Sequence, residues 1–241
     1  VSKNVKAVVI GGGLLGLEAA HALRSMGAEV TVAHLADRLM ERQLDAAAAG
    51  FLKEDLERAG MRILLNAETI AITGEDRAEG VRFKDGSGLE AGVVVMCVGI
   101  RPNTGLAEKS GVYCKRGIVV SATMQTYDPA IYAVGECVEH RGATFGLVAQ
   151  VFEQARVAAN HLAGDARLTF KNRPTAARLK IPGIDLYSAG AIDGGVEGDS
   201  IDYCDRKEKV YKRVIIKEGK VSVIIMYGDT FDGPKLFNAL T

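Results

Sequence analysis

Lys6-Ala7-Val8-Val9-Ile10 runs straight into Gly11-Gly12-Gly13-Leu14-Leu15-Gly16, and Leu17-Glu18-Ala19-Ala20 follows. A β-branched run that stops at glycines and turns at once into a helical pattern can fold in few ways. The spacing Gly11-x-Gly13-x-x-Gly16 assigns each glycine a task in a strand-turn-helix unit. Gly11 makes the tight turn, Gly13 lets backbone approach a dinucleotide pyrophosphate, and Gly16 lets the helix pack on the strand. The helix start then offers free N–H groups and a positive dipole end to the phosphates. A lone G-x-G-x-x-G is weak; a strand before it and a helix after it supply the required context.

Residues 5–10 are the expected first strand. Residues 14–26 are its crossover helix, with Leu15, Ala19, Ala22, Leu23 and Met26 on one face and Gly27 as its stop. Residues 29–33 form the next strand, parallel to the first by the right-handed crossover rule. An acidic residue about 20 positions past the glycines would bind the ribose 2′-hydroxyl of NAD, and an Arg the 2′-phosphate of NADP. Here that place falls on His34, with Asp37 and Arg38 close behind and pointing to opposite choices. His34 is either a ribose neighbour or an exposed loop residue, and NAD versus NADP stays open.

Ala48, Leu52, Leu56 and Ala59 recur at helical spacing, so residues 45–59 are a second helix and 61–65 a third strand. From 68 to 90 the period becomes two, with a hairpin turn at Asp85-Gly86, the mark of a small antiparallel meander. Residues 93–98 are a continuous apolar run, expected to be a strand buried on both faces. It ends at Gly99-Ile100-Arg101-Pro102-Asn103.

This order resembles the NAD(P)H-binding domain of flavoprotein reductases of the disulfide-reductase-like superfamily. The resemblance implies that Gly99 lies beside the bound dinucleotide and that Glu18 sits near the nicotinamide; Leu15, inside the turn, is counted with them. A separate reading makes Glu18 a first-turn acid favoured by the helix dipole. Downstream, Thr123-Met124-Gln125-Thr126 and Ile131-Tyr132-Ala133-Val134-Gly135-Glu136 resemble the second FAD motif of the superfamily, usually written T-x-x-x-x-I-Y-A-x-G-D. There the terminal acid accepts a hydrogen bond from the flavin ribityl chain; this chain has Glu136 after Gly135. The runs 135–142, 145–150 and Met40-Glu41-Arg42-Gln43-Leu44-Asp45 are similar to one branch, the reductase portion of nitrite reductase large subunits and the related nitrate reductase flavoprotein component. Residues 148–162 are a helix with Val148, Val151, Phe152, Ala155, Ala159 and Leu162 on one face, and in the family its start at Val148 points at the flavin ring edge.

Beyond a boundary at 164–174 the texture is β, at 175–181, 184–192, 200–204, 209–216 and 220–227. A turn falls at Glu218-Gly219 and a closing helix at 232–240. The charged run 206–209 is expected to be a solvated turn. The expected fold is therefore α/β. Residues 1–102 are a Rossmann-like NAD(P)H-binding domain with a three-stranded meander. Residues 103–165 are the second half of an FAD-binding domain, and 166–241 a mostly-β interface domain.

Composition narrows the partners. Thirty Lys and Arg balance thirty Asp and Glu, which argues against nucleic acid or an anionic membrane. No apolar run approaches the ~20 residues of a membrane span, and the default location is cytoplasmic. Cys97, Cys114, Cys137 and Cys204 form no C-x-x-C and are expected to be buried or half-buried thiols. No metal site and no catalytic side chain is expected; His140 and His161 are structural. The resemblance implies NAD(P)H and FAD as cofactors, and an electron-entry module passing hydride from one to the other. A rubredoxin- or ferredoxin-reductase-like flavoprotein and a non-catalytic nucleotide-binding module are the alternatives. The first FAD half does not precede this segment, so the chain is expected to be a fragment. Its partners would be that half and downstream electron acceptors, with a homodimer also compatible. Purified alone, it is expected to hold no stoichiometric FAD.

Overall fold

The first apolar run becomes β1 (Lys6–Ile10), buried from Ala7 onward. The computed structural model describes residues 4–165, 167–190, 192 and 197–240. Two units emerge, one made of the chain up to 98 together with 174 onward, the other of 99–173.

In the first unit, β1 leads through the glycines into α1 (Leu14–Ser25) and then β2 (Glu29–Ala33), which pairs parallel to β1. Asp45 caps α2 (Ala46–Arg58) by accepting from the Ala48 amide, and β3 (Arg62–Leu64) follows. β4 (Thr69–Thr73), β5 (Gly80–Phe83) and β6 (Gly88–Glu90) are the antiparallel meander. Its turn stands at Asp85-Gly86, where Gly86 takes φ +89° and the Asp85 carboxylate accepts from the Ser87 amide. β7 (Val93–Met96) completes a parallel sheet in the order β3-β2-β1-β7.

Two expectations are corrected here. The run 93–98 is not buried on both faces: β7 is the sheet's edge, and Met96 and Val98 are exposed. Apolar content alone does not separate an edge from a centre. In α1 the inward face is Gly16, Leu17 and Ala20, while Leu15 and Met26 stay 67% and 53% exposed. The close approach is local to Gly16, where a Cβ would meet the Gly11 carbonyl oxygen; Leu17 and Ala20 fill the rest of the inward face, and the helix turns Leu15 away from it. In α2 the expected Ala48, Leu52 and Leu56 are buried, and Ala59 lies just past the helix, exposed.

The second unit holds α3 (Gly105–Lys109), a three-stranded sheet of β8 (Ile118–Val119), β9 (Val138–His140) and β10 (Ala143–Thr144), and α4 (Val148–Leu162). Its core gathers Val120, Met124, Val138, Phe145, Val157 and Phe170. The apolar stripe of α4 faces outward: Gln154, Val157 and Ala158 are buried, whereas Val148 and Phe152 are 71% and 72% exposed. His140 bonds Asn172, and His161 bonds the Tyr132 hydroxyl, so both histidines are structural.

The chain then returns to the first unit as β11 (Ala177–Arg178), β12 (Leu186–Ala189), β13 (Asp199–Asp205), β14 (Val210–Lys217) and β15 (Lys220–Tyr227). They form one antiparallel sheet in the order β11-β12-β15-β14-β13, with α5 (Gly233–Phe237) after it. The expected strands 175–181 and 184–192 and the expected helix 232–240 are shorter in the structure; Ala191 and Thr241 lie outside the described residues. Leu186, Tyr211, Val223, Ile225 and Tyr227 share one core with α1, α2 and β1. Two carboxylates, the α2 cap Asp45 and Asp55 within the helix, add polar ties. Asp45 accepts from the Tyr211 hydroxyl at 2.5 Å and from Arg213 at 2.8 Å; Asp55 accepts from the Tyr227 hydroxyl at 2.5 Å and from Lys209. Lys209 therefore leaves the charged run 206–209, which is not wholly a solvated turn. Cys204 is exposed rather than buried, since β13 is an edge strand.

Candidate functional site

The three motif glycines meet different surroundings. Gly11 takes φ +114°, and a Cβ there would stand 2.2 Å from the Cys97 carbonyl oxygen. A Cβ on Gly16 would stand 2.0 Å from the Gly11 carbonyl oxygen. The protein itself demands glycine at both places. Gly13, the N-cap of α1, has φ −85° and ψ −176°, which any residue adopts, and among the described residues nothing lies within 4 Å of the position a Cβ would take. Neither strain nor crowding among the described residues accounts for glycine at 13. Among the described residues no side chain caps α1, and helix geometry leaves its first-turn N–H groups without a partner within the helix. Free N–H groups at a helix start, with space beside Gly13, can hold an anion.

Leu15 is exposed at the start of this helix. Glu18, the fifth residue of α1, is not a first-turn acid; its Oε1 accepts from the Lys180 amide at 3.1 Å. His34 is not an exposed loop residue either. It is 8% exposed, its Nδ1 lies 3.0 Å from the Gly12 amide, and its Nε2 lies 3.0 Å from Glu41 Oε2. Arg38 donates from Nη1 to Asp37 at 3.0 Å and from Nε to the Leu44 carbonyl at 3.3 Å. Burial pushes the Cys97 thiol up, which leaves it a packing residue beside Gly11.

Sequence reasoning missed Gly12, Leu39 and Met40. A Cβ on Gly12 would stand 2.6 Å from Leu39 and 2.9 Å from the His34 ring, and the Met40 amide donates to the Gly12 carbonyl at 3.0 Å. The only trace in the sequence is the extra glycine, which G-x-G-x-x-G does not call for.

In the second unit, Gly99 and Gly135 take φ +97° and +106°, and among the described residues nothing lies within 4 Å of a Cβ at either. The Gly135 amide donates to Gln154 Oε1 at 2.8 Å. Gln154 is wholly buried, and its Nε2 has no hydrogen-bond partner among the described residues. A buried, unpaired amide donor is unfavourable by about 1–3 kcal/mol unless something outside the chain satisfies it. Glu136 is exposed, and among the described residues nothing bonds its carboxylate. α4 starts at exposed Val148, and among the described residues no side chain caps it. An open glycine turn, a free acid and an orphaned donor fit a polar cofactor edge. Gln154 was missed because an amide on a helix carries no sequence signature. Among the described residues no group of three or more His, Cys, Asp or Glu could hold a metal, and no helix is long and apolar enough to cross a membrane.

The profile of the pyridine nucleotide-disulphide oxidoreductases matches residues 1–161, and that of the rubredoxin NAD+ reductase C-terminal domain matches 176–241. The nitrite reductase (NAD(P)H) of Bacillus subtilis is 47% identical over 98% of this chain and 29% of its own length. The assimilatory nitrate reductase electron transfer subunit of the same organism is 43% identical over 98% of this chain and 30% of its own. The crystal structure of a ferredoxin reductase from Rhodopseudomonas palustris superposes with a TM-score of 0.81 at 29% identity, over 95% of this chain and 58% of that one. The chain thus spans less than a third of the two curated relatives.

Proposed function

The chain belongs to the pyridine nucleotide-disulphide oxidoreductases, and on that premise we propose that it is the NAD(P)H-binding electron-entry segment of an FAD-dependent oxidoreductase of the nitrite reductase large-subunit type. The observation that carries this reading is Gly13: the protein closes around Gly11 and Gly16 and leaves the direction of a Gly13 side chain empty. Gly13 and the first-turn amides of α1 bind the pyrophosphate, while Gly11 and Gly16 hold the turn in shape. Glu136 accepts from the flavin ribityl chain, and Gln154 keeps the Gly135 turn in place for it. When both groups are bound, the nicotinamide supplies a hydride and the flavin takes it up; position and electrostatics are the protein's share. The segments 1–102, 103–165 and 166–241 serve nucleotide binding, flavin binding and interface formation. The outward apolar stripe of α4, with Val148 and Phe152, is where we place the remainder of a flavin domain.

Calorimetric titration of the chain with NADH and with NADPH tests the reading, which predicts saturable binding of at least one. Absence of binding by both sinks it. Arg38 is the cation that follows His34, with a side chain about a third exposed. Replacing it with Ala should weaken NADPH more than NADH, by roughly 1.5–3 kcal/mol, as for a hydrogen bond to a charged group. Equal losses in the same titrations would place Arg38 away from the 2′ position.

A second reading, a rubredoxin-reductase-like flavoprotein, is favoured by the match of residues 176–241. Electron transfer to rubredoxin, measured against transfer to nitrite with the protein from which this segment comes, separates the two.

A further inference from the structure

We propose that His34 is a positioning residue that sets the shape of the pyrophosphate turn through Gly12, in the tautomer that carries its proton on Nε2. The inference rests on the reading of the turn as a dinucleotide cradle. A backbone amide can only donate, so the Gly12 N–H pointing at His34 Nδ1 requires a lone pair on that nitrogen. A neutral imidazole then carries its hydrogen on Nε2, and Glu41 Oε2 accepts it at 3.0 Å.

The carboxylate orients the ring, and the ring holds the Gly12 amide. The Met40 amide holds the Gly12 carbonyl at 3.0 Å. Both backbone groups of Gly12 are therefore fixed, between the glycine that makes the turn and the glycine that faces the open side. The ring and Leu39 also fill the space a side chain at 12 would need, which accounts for the third glycine.

A residue at the end of β2 ordinarily meets the adenine ribose. His34 is buried with both nitrogens engaged, so its effect reaches the ligand through the backbone and falls on the pyrophosphate. It must then act on NADH and NADPH alike, unlike a residue that reads the 2′ position.

The test compares His34→Leu, His34→Asn and Glu41→Gln with the wild-type chain. The Asn carbamoyl oxygen stands near the place of Nδ1 and can accept from Gly12. His34→Leu is expected to raise the Kd for NADH and for NADPH by about the same tenfold, the effect of losing one hydrogen bond at the upper end of its range. His34→Asn should recover most of the loss, and Glu41→Gln should fall between. Rescue by Asn separates positioning from mere packing, which Leu would satisfy as well. Unchanged affinity in His34→Leu, or a loss confined to one nucleotide, overturns the proposal. Long-range proton–nitrogen NMR of the wild-type chain needs no variant to fold. It should show His34 as the Nε2–H tautomer at neutral pH; a protonated Nδ1 overturns the proposal. A wild-type chain that shows this tautomer yet binds neither nucleotide would instead refute the cradle itself, and with it the role assigned to His34.

Discussion

Gly13→Val abolishes binding of NADH and NADPH and leaves the chain folded: that is the expected result of placing a side chain where the structure is empty. The backbone at 13 lies in the extended region, and no atom of the described residues stands within 4 Å of the new Cβ. The change to the fold is at most the weaker capping of Val against Gly, roughly 1 kcal/mol, or a few degrees in Tm. The phosphates lose their approach entirely. Gly16→Val is the contrasting variant. Its Cβ would overlap the Gly11 carbonyl oxygen, and relieving that overlap pushes α1 off the sheet at about 3 kcal/mol or more. Calorimetry and thermal melts on both variants read the two effects separately. Undiminished affinity in Gly13→Val would remove the main support for the functional reading.

The second large effect is expected at Asp55. Its carboxylate accepts from Lys209, from Arg58 at 2.7 Å and from the Tyr227 hydroxyl at 2.5 Å, with its side chain 18% exposed. Asp55→Ala leaves the buried Tyr227 hydroxyl only a long 3.5 Å contact to the Phe51 carbonyl and strands the half-buried Lys209 ammonium. A loss of about 2–4 kcal/mol follows, toward the range for breaking a buried pair, reduced because solvent reaches part of the site. Denaturant unfolding measures it, and a loss below about 1 kcal/mol would mean the ties are ornamental.

Acid should act on the same group. Burial alone would raise the Asp55 carboxyl, but hydrogen bonds from Lys209 and Tyr227 and the charges of Lys209 and Arg58 together hold it below the usual range. The unfolded chain therefore takes up the proton first as pH falls. The stabilisation from Asp55 is complete above the ordinary carboxylate pKa of about 4 and is lost below it, toward the lower folded value. Asp55→Asn should flatten the acid limb of stability against pH. Across the same contact, burial and the facing carboxylates of Asp45 and Asp55 push the Tyr211 and Tyr227 hydroxyls up, which keeps them donors throughout the working range.

Local backbone demands were legible from the start. Gly11 and Gly16 are glycines because a carbonyl oxygen fills the place of each Cβ, and spacing along the chain records that. The turn at Asp85-Gly86 and the bounds of β2 and β15 follow from short-range pattern in the same way.

What the chain meets after a long loop was not written there. A period of 3.6 shows that an apolar stripe exists on α1 or α4, but not which surface arrives against it. In α1 the sheet took Gly16, Leu17 and Ala20 and left Leu15 outside, and in α4 the stripe was left outside while Gln154 went in. β7 carries the residues of a central strand and stands at an edge because pairing is a property of neighbours. His34 lies beside Gly12 only because residues 34–41 fold back under the turn, bringing Glu41 to its far nitrogen. Asp45 and Asp55 find Tyr211 and Tyr227 more than 160 residues away. The strand-turn-helix unit was thus determined by the sequence alone, since steric limits on φ, ψ and Cβ act between near neighbours. Helix faces, the edge strand and the partners of His34 and Asp55 were decided by tertiary structure, because burial and hydrogen bonding depend on groups that only the folded chain brings together.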